Sequence, residues 1–312
     1  MTYSAPRNVR FLSGDSMISA LHYLGANRGC IIMAGGTGVT KEPASDPFAP
    51  HFQAAGFSVL AFDFRRLGQS GGNPRQVIKV DDQLDDYRAA IAFAATLPEV
   101  DPTRIVIWGF SLAGGHVLRV AAREPGLAAA IAQAPLADGP AIAPNAMRAM
   151  TPGAALRLQL RAAGDFLGRR LLRRRPVLIP LAGSRGTVAS ITTPDGGRGG
   201  QALDPDGRYR DWDQTVAAAS ALRIAFYRPG RTASRIACPL LVVVFEDDQT
   251  VLTSPAVKAA QRAPLGELVR LEGDHYAAFE RAHQATLDAE IGFLRRHVLE
   301  PQNAPAPTLA RV

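Results

Sequence analysis

Short apolar, β-branched runs alternate along this chain with longer Ala-rich segments of helical period, and that alternation constrains the fold more than any other feature. Strands separated by helical crossovers do not pair as hairpins; they line up in parallel, with helices over both faces of the sheet. The expected strands lie at residues 30–34, 58–64, 104–108, 128–134, 239–245 and 267–271. Between them, residues 81–97 carry Leu84, Tyr87, Ile91 and Phe93 at helical spacing and stop at Pro98. Residues 112–123, 254–262 and 276–298 are the other expected core helices, and residues 8–12 and 19–24 form an opening hairpin.

The alternation stops at residues 136–235, a stretch rich in Arg, Gly and Pro with helical pattern only at 154–172 and 212–227, and then resumes. The expectation is an α/β fold with a mostly parallel sheet and helices on both faces. Its core comes from residues 1–135 and 236–300, a cap is inserted at 136–235, and a Pro-rich tail at 301–312 is disordered. With 312 residues, 47% of them hydrophobic and 20% charged, the chain can bury a full core. Its longest apolar runs fall far short of the roughly 20 residues that a membrane-spanning helix needs. Residues 1–7 lack the plan of a signal peptide, so a cytoplasmic address is expected.

Cys30 and Cys238 each stand at the start of an apolar run and read as core positions; neither a metal nor a cofactor is expected. Much of the net charge of +7 sits in one stretch: Arg157, Arg161, Arg169, Arg170, Arg173, Arg174 and Arg175, opposed only by Asp165. Without aromatic interleaving or a nucleic-acid motif, the stretch reads as a solvated helical face and no nucleic-acid partner is expected. An anionic substrate, carrier or membrane surface is the alternative.

Two stretches spell a nucleophile elbow. Gly68-Gln69-Ser70-Gly71-Gly72 fits G-x-S-x-G to the letter, but Asn73-Pro74 follows and cannot start a helix. Gly109-Phe110-Ser111-Leu112-Ala113 ends in Ala, yet a strand feeds it and a helix follows, and that setting exposes a serine hydroxyl at a helix amino terminus. Ser111 is therefore the expected nucleophile.

A serine hydroxyl needs a histidine base, and the histidine needs a carboxylate to fix its tautomer. Of six histidines, His275 follows the last strand in a loop at the carboxyl edge of the sheet, where Ser111 should also lie. His22, His51, His116, His283 and His297 fall in the hairpin or in helices and read as packing or surface residues. The strand at 239–245 breaks into Glu246-Asp247-Asp248; loop depth favours Asp248 as the acid, with Asp247 and then Glu246 as alternatives. Backbone N–H groups of Leu112 and of Gly36 in Ala34-Gly35-Gly36-Thr37-Gly38 are the expected oxyanion donors, Thr37 being the fallback.

Asp63-Phe64-Arg65-Arg66-Leu67-Gly68-Gln69-Ser70 resembles the D-x-R-x-x-G-x-S loop of the α/β-hydrolase superfamily. The stretch from Gly109 to Gly115 is similar to the elbow of its dienelactone-hydrolase-like and X-Pro-dipeptidyl-peptidase-like branch, and Gly273-Asp274-His275 to the branch's histidine loop. The resemblance covers nearly the whole chain, aligns Asp248 with the acid and makes Ser70 structural. Two positions depart from the pattern: the usual His-Gly of the oxyanion loop reads Ala34-Gly35, and the last elbow glycine is Ala113.

The branch holds bacterial esterases, peptidases and polyketide-tailoring thioesterases or acyltransferases. It implies a serine hydrolase acting on a small-molecule ester or acyl-thioester through an acyl-enzyme. The alternatives are an acyltransferase using an alcohol or amine acceptor, or a binding protein that has lost catalysis. Leu156, Leu158, Leu160, Phe166 and Leu167 of the cap are candidates to line the acyl pocket, or simply to pack.

Overall fold

A computed structural model describes residues 5–172 and 174–299; the expectations for residues 1–4, Arg173 and the tail at 301–312 lie outside the described residues. Strands β1 (Arg7–Ser13), β2 (Ser16–Tyr23) and β3 (Cys30–Ala34) lead into short helices α1 (Lys41–Ser45) and α2 (Ala49–Ala54). The alternation follows: β4 (Ser58–Phe62), α3 (Val80–Ala94), β5 (Ile105–Phe110), α4 (Leu112–Ala121) and β6 (Ala129–Gln133). The interrupting stretch contains α5 (Gly139–Arg148), α6 (Pro152–Leu172), β7 (Leu178–Pro180), α7 (Gly199–Leu203), β8 (Thr215–Ala217) and α8 (Ala218–Ala225). The chain returns through β9 (Leu240–Phe245), α9 (Thr253–Arg262), β10 (Gly266–Leu271) and α10 (His283–Leu294).

The main sheet has the order β1-β2-β4-β3-β5-β6-β9-β10. The β1–β2 and β2–β4 pairs are antiparallel, and the remaining pairs are parallel. The apolar runs of the inner parallel strands are continuous because both their faces are covered, whereas the edge strand β10, with Glu267 and Arg270, is exposed or half-buried along its length. In β9, Leu241, Val243 and Phe245 enter one core while Leu240, Val242 and Val244 enter the other. Cys30 and Cys238 are buried and unpaired.

Two expected helices differ in the structure. In the stretch read as helical from Trp212 to Tyr227, residues 215–217 form β8, which pairs antiparallel with β7, and the helix starts only at Ala218. The last helix does not begin at Tyr276. A short 3-10 turn at Ala277–Phe279 comes first, Glu280 breaks it with φ −131° and ψ −118°, and α10 begins at His283 and ends in a π-type turn at Arg295–Leu299. No helix among the described residues is long and apolar enough to cross a membrane.

Candidate active site

β5 delivers the chain to Ser111, whose φ of 59° and ψ of −117° lie where an L-residue stays only under constraint. The constraint comes from three backbone bonds. Ser111 N–H donates to the Gln133 carbonyl at 3.0 Å, and its own carbonyl accepts from Gly115 N–H at 3.1 Å and Leu136 N–H at 2.9 Å. Gly109 makes the sharp turn possible, since a Cβ there would stand 2.5 Å from the Ala113 carbonyl. The Ser111 hydroxyl caps nothing in α4.

That hydroxyl lies 3.0 Å from His275 Nε2, and His275 Nδ1 lies 2.7 Å from Asp248 Oδ2. With the Nδ1 proton donated to the carboxylate, Nε2 is left to accept from the serine. Gly273, at φ +121°, carries the turn that aims the ring: a Cβ there would meet the Ala277 Cβ at 2.4 Å. The second oxygen of Asp248 accepts from the N–H groups of Thr250 and Val251, each at 2.9 Å. The other two carboxylates of the acid loop point away, Glu246 to Arg270 at the surface and Asp247, 70% exposed, toward Arg281.

His275 is fully buried. Burial opposes its charged form, but the charge and hydrogen bond of Asp248, with the charges of Asp195 and Asp274, outweigh it and raise the imidazole pKa above the ordinary 6.5. Asp195 is a participant that sequence reasoning missed. Its Oδ2 accepts from Gln249 N–H at 2.8 Å and Thr250 N–H at 3.2 Å, while Oδ1 accepts from the Thr250 hydroxyl at 2.9 Å and Gly196 N–H at 2.8 Å. Burial alone would raise its pKa; the Gln249 bond and the nearby His275 prevail and hold the carboxyl below the usual range. Asp195 thus braces the loop that carries Asp248. Its only local cue is Thr192-Thr193-Pro194-Asp195-Gly196, which reads as an ordinary turn.

Gly36 backs directly onto Ser111: a Cβ on it would stand 3.0 Å from the Ser111 Cβ and 3.5 Å from the hydroxyl. Leu112 is the first residue of α4, so its amide has no helical acceptor. Thr37 lines the cavity into which Ser111 opens. That chamber has a volume of about 110 Å³ and is apolar, lined by Leu136, Ile142, Ala143, Ile191, Ile224 and Val251 among others. Thr192 and Thr193 are shared with an outer vestibule of about 700 Å³ that includes Arg148, Arg185 and Arg198. Arg198 is neutralised by Asp274 and Glu280.

The leucines and Phe166 of α6 do not line the chamber. α6 packs through Ala154, Ala155, Ala162 and Asp165, with Leu158 half-buried, which turns Leu156, Leu160, Phe166 and Leu167 to solvent. The chamber wall comes instead from α5, α8 and residues 190–193. Ser70 has spent its hydroxyl, which donates to the Asp63 carbonyl at 2.6 Å and accepts from Ser19 N–H at 2.8 Å. His116 is held in the core between Tyr227 and Gln83, and burial pushes its pKa down to about 3.

A family model described as serine aminopeptidase, S33 (Hydrolase_4), matches residues 25–273, a span that includes Ser111 and Asp248 and ends two residues before His275. The quorum-quenching protein AidA of Acinetobacter baumannii is 37% identical over 298 residues, covering 94% of this chain and 96% of that protein. The thiohydrolase aneE of Aspergillus aculeatus is 36% identical over 139 residues, 44% of this chain and 43% of its own. Among solved structures, the alpha/beta hydrolase GrgF from Penicillium sp. sh18 superposes with a TM-score of 0.77 at 23% identity, over 95% of this chain and 100% of that one, a likeness of fold. With a strand-turn-helix at Ser111 and a matched span of this length, the chain belongs to the S33 serine aminopeptidase (Hydrolase_4) family and is an α/β hydrolase.

Proposed function

We propose that this hydrolase cleaves a carboxylic ester or thioester through a covalent acyl-enzyme at Ser111. One observation carries the reading: the unbroken chain Asp248–His275–Ser111, at 2.7 and 3.0 Å, ends in an apolar chamber. The Ser111 oxygen attacks the acyl carbonyl as its proton passes to His275 Nε2. The resulting imidazolium is stabilised by Asp248. The N–H groups of Leu112 and Gly36, or Thr37 in its place, hold the oxyanion. Collapse expels an alkoxide or thiolate that takes the proton from His275. Water, activated by the same histidine, then releases the acid.

A chamber of about 110 Å³ is well below the roughly 300–1,000 Å³ of a whole-ligand site, so it suits an acyl chain, with the leaving group in the vestibule. On this reading residues 136–235 act as the cap that shapes both spaces. The thiohydrolase relative supports a thioester in the substrate range. Two buried, unpaired cysteines suit a cytoplasmic address.

A fluorophosphonate probe should label Ser111, and Ser111→Ala should lose labelling together with about 10³-fold or more of kcat/KM. The compounds to test are p-nitrophenyl esters, lactones and acyl thioesters of graded length. Full turnover by Ser111→Ala would overturn the proposal. The roomy vestibule favours a second reading, in which an alcohol or amine seated there takes the acyl group in place of water. Product analysis with and without such acceptors separates the two.

A further inference from the structure

The 21-residue helix α6 has its polarity inverted for a surface helix. Apart from half-buried Leu158, the side chains it turns to the body are small or ionic, whereas Leu156, Leu160, Leu167 and Leu171 are 57%, 63%, 52% and 70% exposed. At about 100° per residue their spacing sets all four in a strip roughly 60° wide, opposite the packed face. Exposed Arg157 and Arg161 flank one side of the strip and exposed Arg170 the other. The helix has one carboxylate, Asp165, which is buried and occupied by Arg169 and by the amides of Val177 and Ala219.

The positive character extends past both ends of the helix. At the carboxyl end a groove of about 670 Å³ is lined by Lys79, Arg169, Arg170, Arg174, Arg175 and Arg223, and among the described residues no carboxylate lines it. At the amino end, Thr151 N–H donates to the carbonyl of Arg185, so α6 begins beside the basic vestibule of the candidate active site. The helix rises about 31 Å between these two ends.

We propose that α6 is a docking face for an anionic lipid surface, its leucines entering the boundary between headgroups and acyl chains and its arginines meeting lipid phosphates. Charge selects this occupant over a second copy of the chain. Two such strips brought together would face arginine with arginine, and α6 offers no exposed carboxylate to compensate.

The test is co-sedimentation of the full chain with vesicles of phosphatidylcholine alone or mixed with phosphatidylglycerol. Binding should require the anionic lipid and be released by high salt. The pair Leu160→Gln and Leu167→Gln should lower partitioning about tenfold, and Arg157→Glu with Arg161→Glu should abolish the preference for anionic vesicles. Hydrolysis of a soluble p-nitrophenyl ester should be unchanged in both, which keeps loss of docking distinct from loss of fold. No binding, equal binding to neutral vesicles, or binding indifferent to these substitutions would overturn the proposal. So would a dimer in light scattering that the leucine pair converts to monomer, since the strip would then be a self-interface.

Discussion

Two serines in this chain occupy elbow spellings, and their bonding separates them. Ser70 is locked between Asp63 and Ser19, so Ser70→Ala should cost about 1–3 kcal/mol of stability and leave kcat intact, as chemical denaturation beside ester turnover would measure. Ser111, whose hydroxyl meets only His275, should show the reverse. The grouping of Ser111 with His275 and Asp248 was legible because a strand and a helix flank Ser111 and because His275 and Asp248 each follow a parallel strand. Asp195 was not legible: its partners, Gln249 and Thr250, are distant in sequence and are contacted mainly through their backbone. Its charge helps raise the His275 pKa, so the imidazole stays protonated to higher pH than it would alone. Asp195→Asn should move the acid limb of the kcat/KM profile to lower pH and, by loosening the acid loop, cost up to about tenfold at the plateau. An unmoved or upward-shifted limb would remove Asp195 from the site's electrostatics.

Among the elements, strands buried on both faces were readable almost to the residue, because a continuous apolar run has few other uses. Elements whose identity depends on a distant partner were not. Thr215, Val216 and Ala217 sit in a segment of helical composition, yet pairing with Leu178, Ile179 and Pro180 makes them a strand. The late start of α10 has a comparable cause, since the turns that follow the His275 loop come between it and the helix. In α6 the helical period was correct and the inward face was not, because Asp165 anchors the helix by accepting from the amides of Val177 and Ala219. Asp165→Ala leaves both amides without that acceptor and should destabilise the α6–α8 pair by about 2–5 kcal/mol. Hydrogen exchange should then quicken at Val177 and Ala219 while the amides of β5 and β9 keep their protection; uniform loss across the sheet would mean that α6 is not a separable unit.

For the whole molecule, two buried titratable groups in different helices act on stability from opposite sides of the pH scale. His116 on α4, fully buried, has its pKa pushed by burial from 6.5 down to about 3. The unfolded chain binds that proton first, so the stabilisation it contributes is present above about pH 6.5 and is lost as pH falls toward 3. Glu290 on α10 receives the Trp108 indole N–H at 3.0 Å, and burial raises its pKa from 4.5 to about 8. It is stabilising while protonated below about pH 4.5, and that contribution drains away as pH rises through 8. A glutamate in the last helix gives no sign of this in the sequence; only the position of α10 against the β5 tryptophan does. Between about pH 4.5 and 6.5 the two slopes oppose each other, so together they give a plateau that falls off on either side. Glu290→Gln keeps an acceptor for Trp108 and removes the buried charge. The variant should track the wild type near pH 4.5, gain a few kcal/mol over it by pH 8 and above, and reach its own maximum beyond pH 6.5. Thermal unfolding of both proteins across pH 4–9 measures this; curves that stay parallel throughout would show that Glu290 remains ionised in the folded protein.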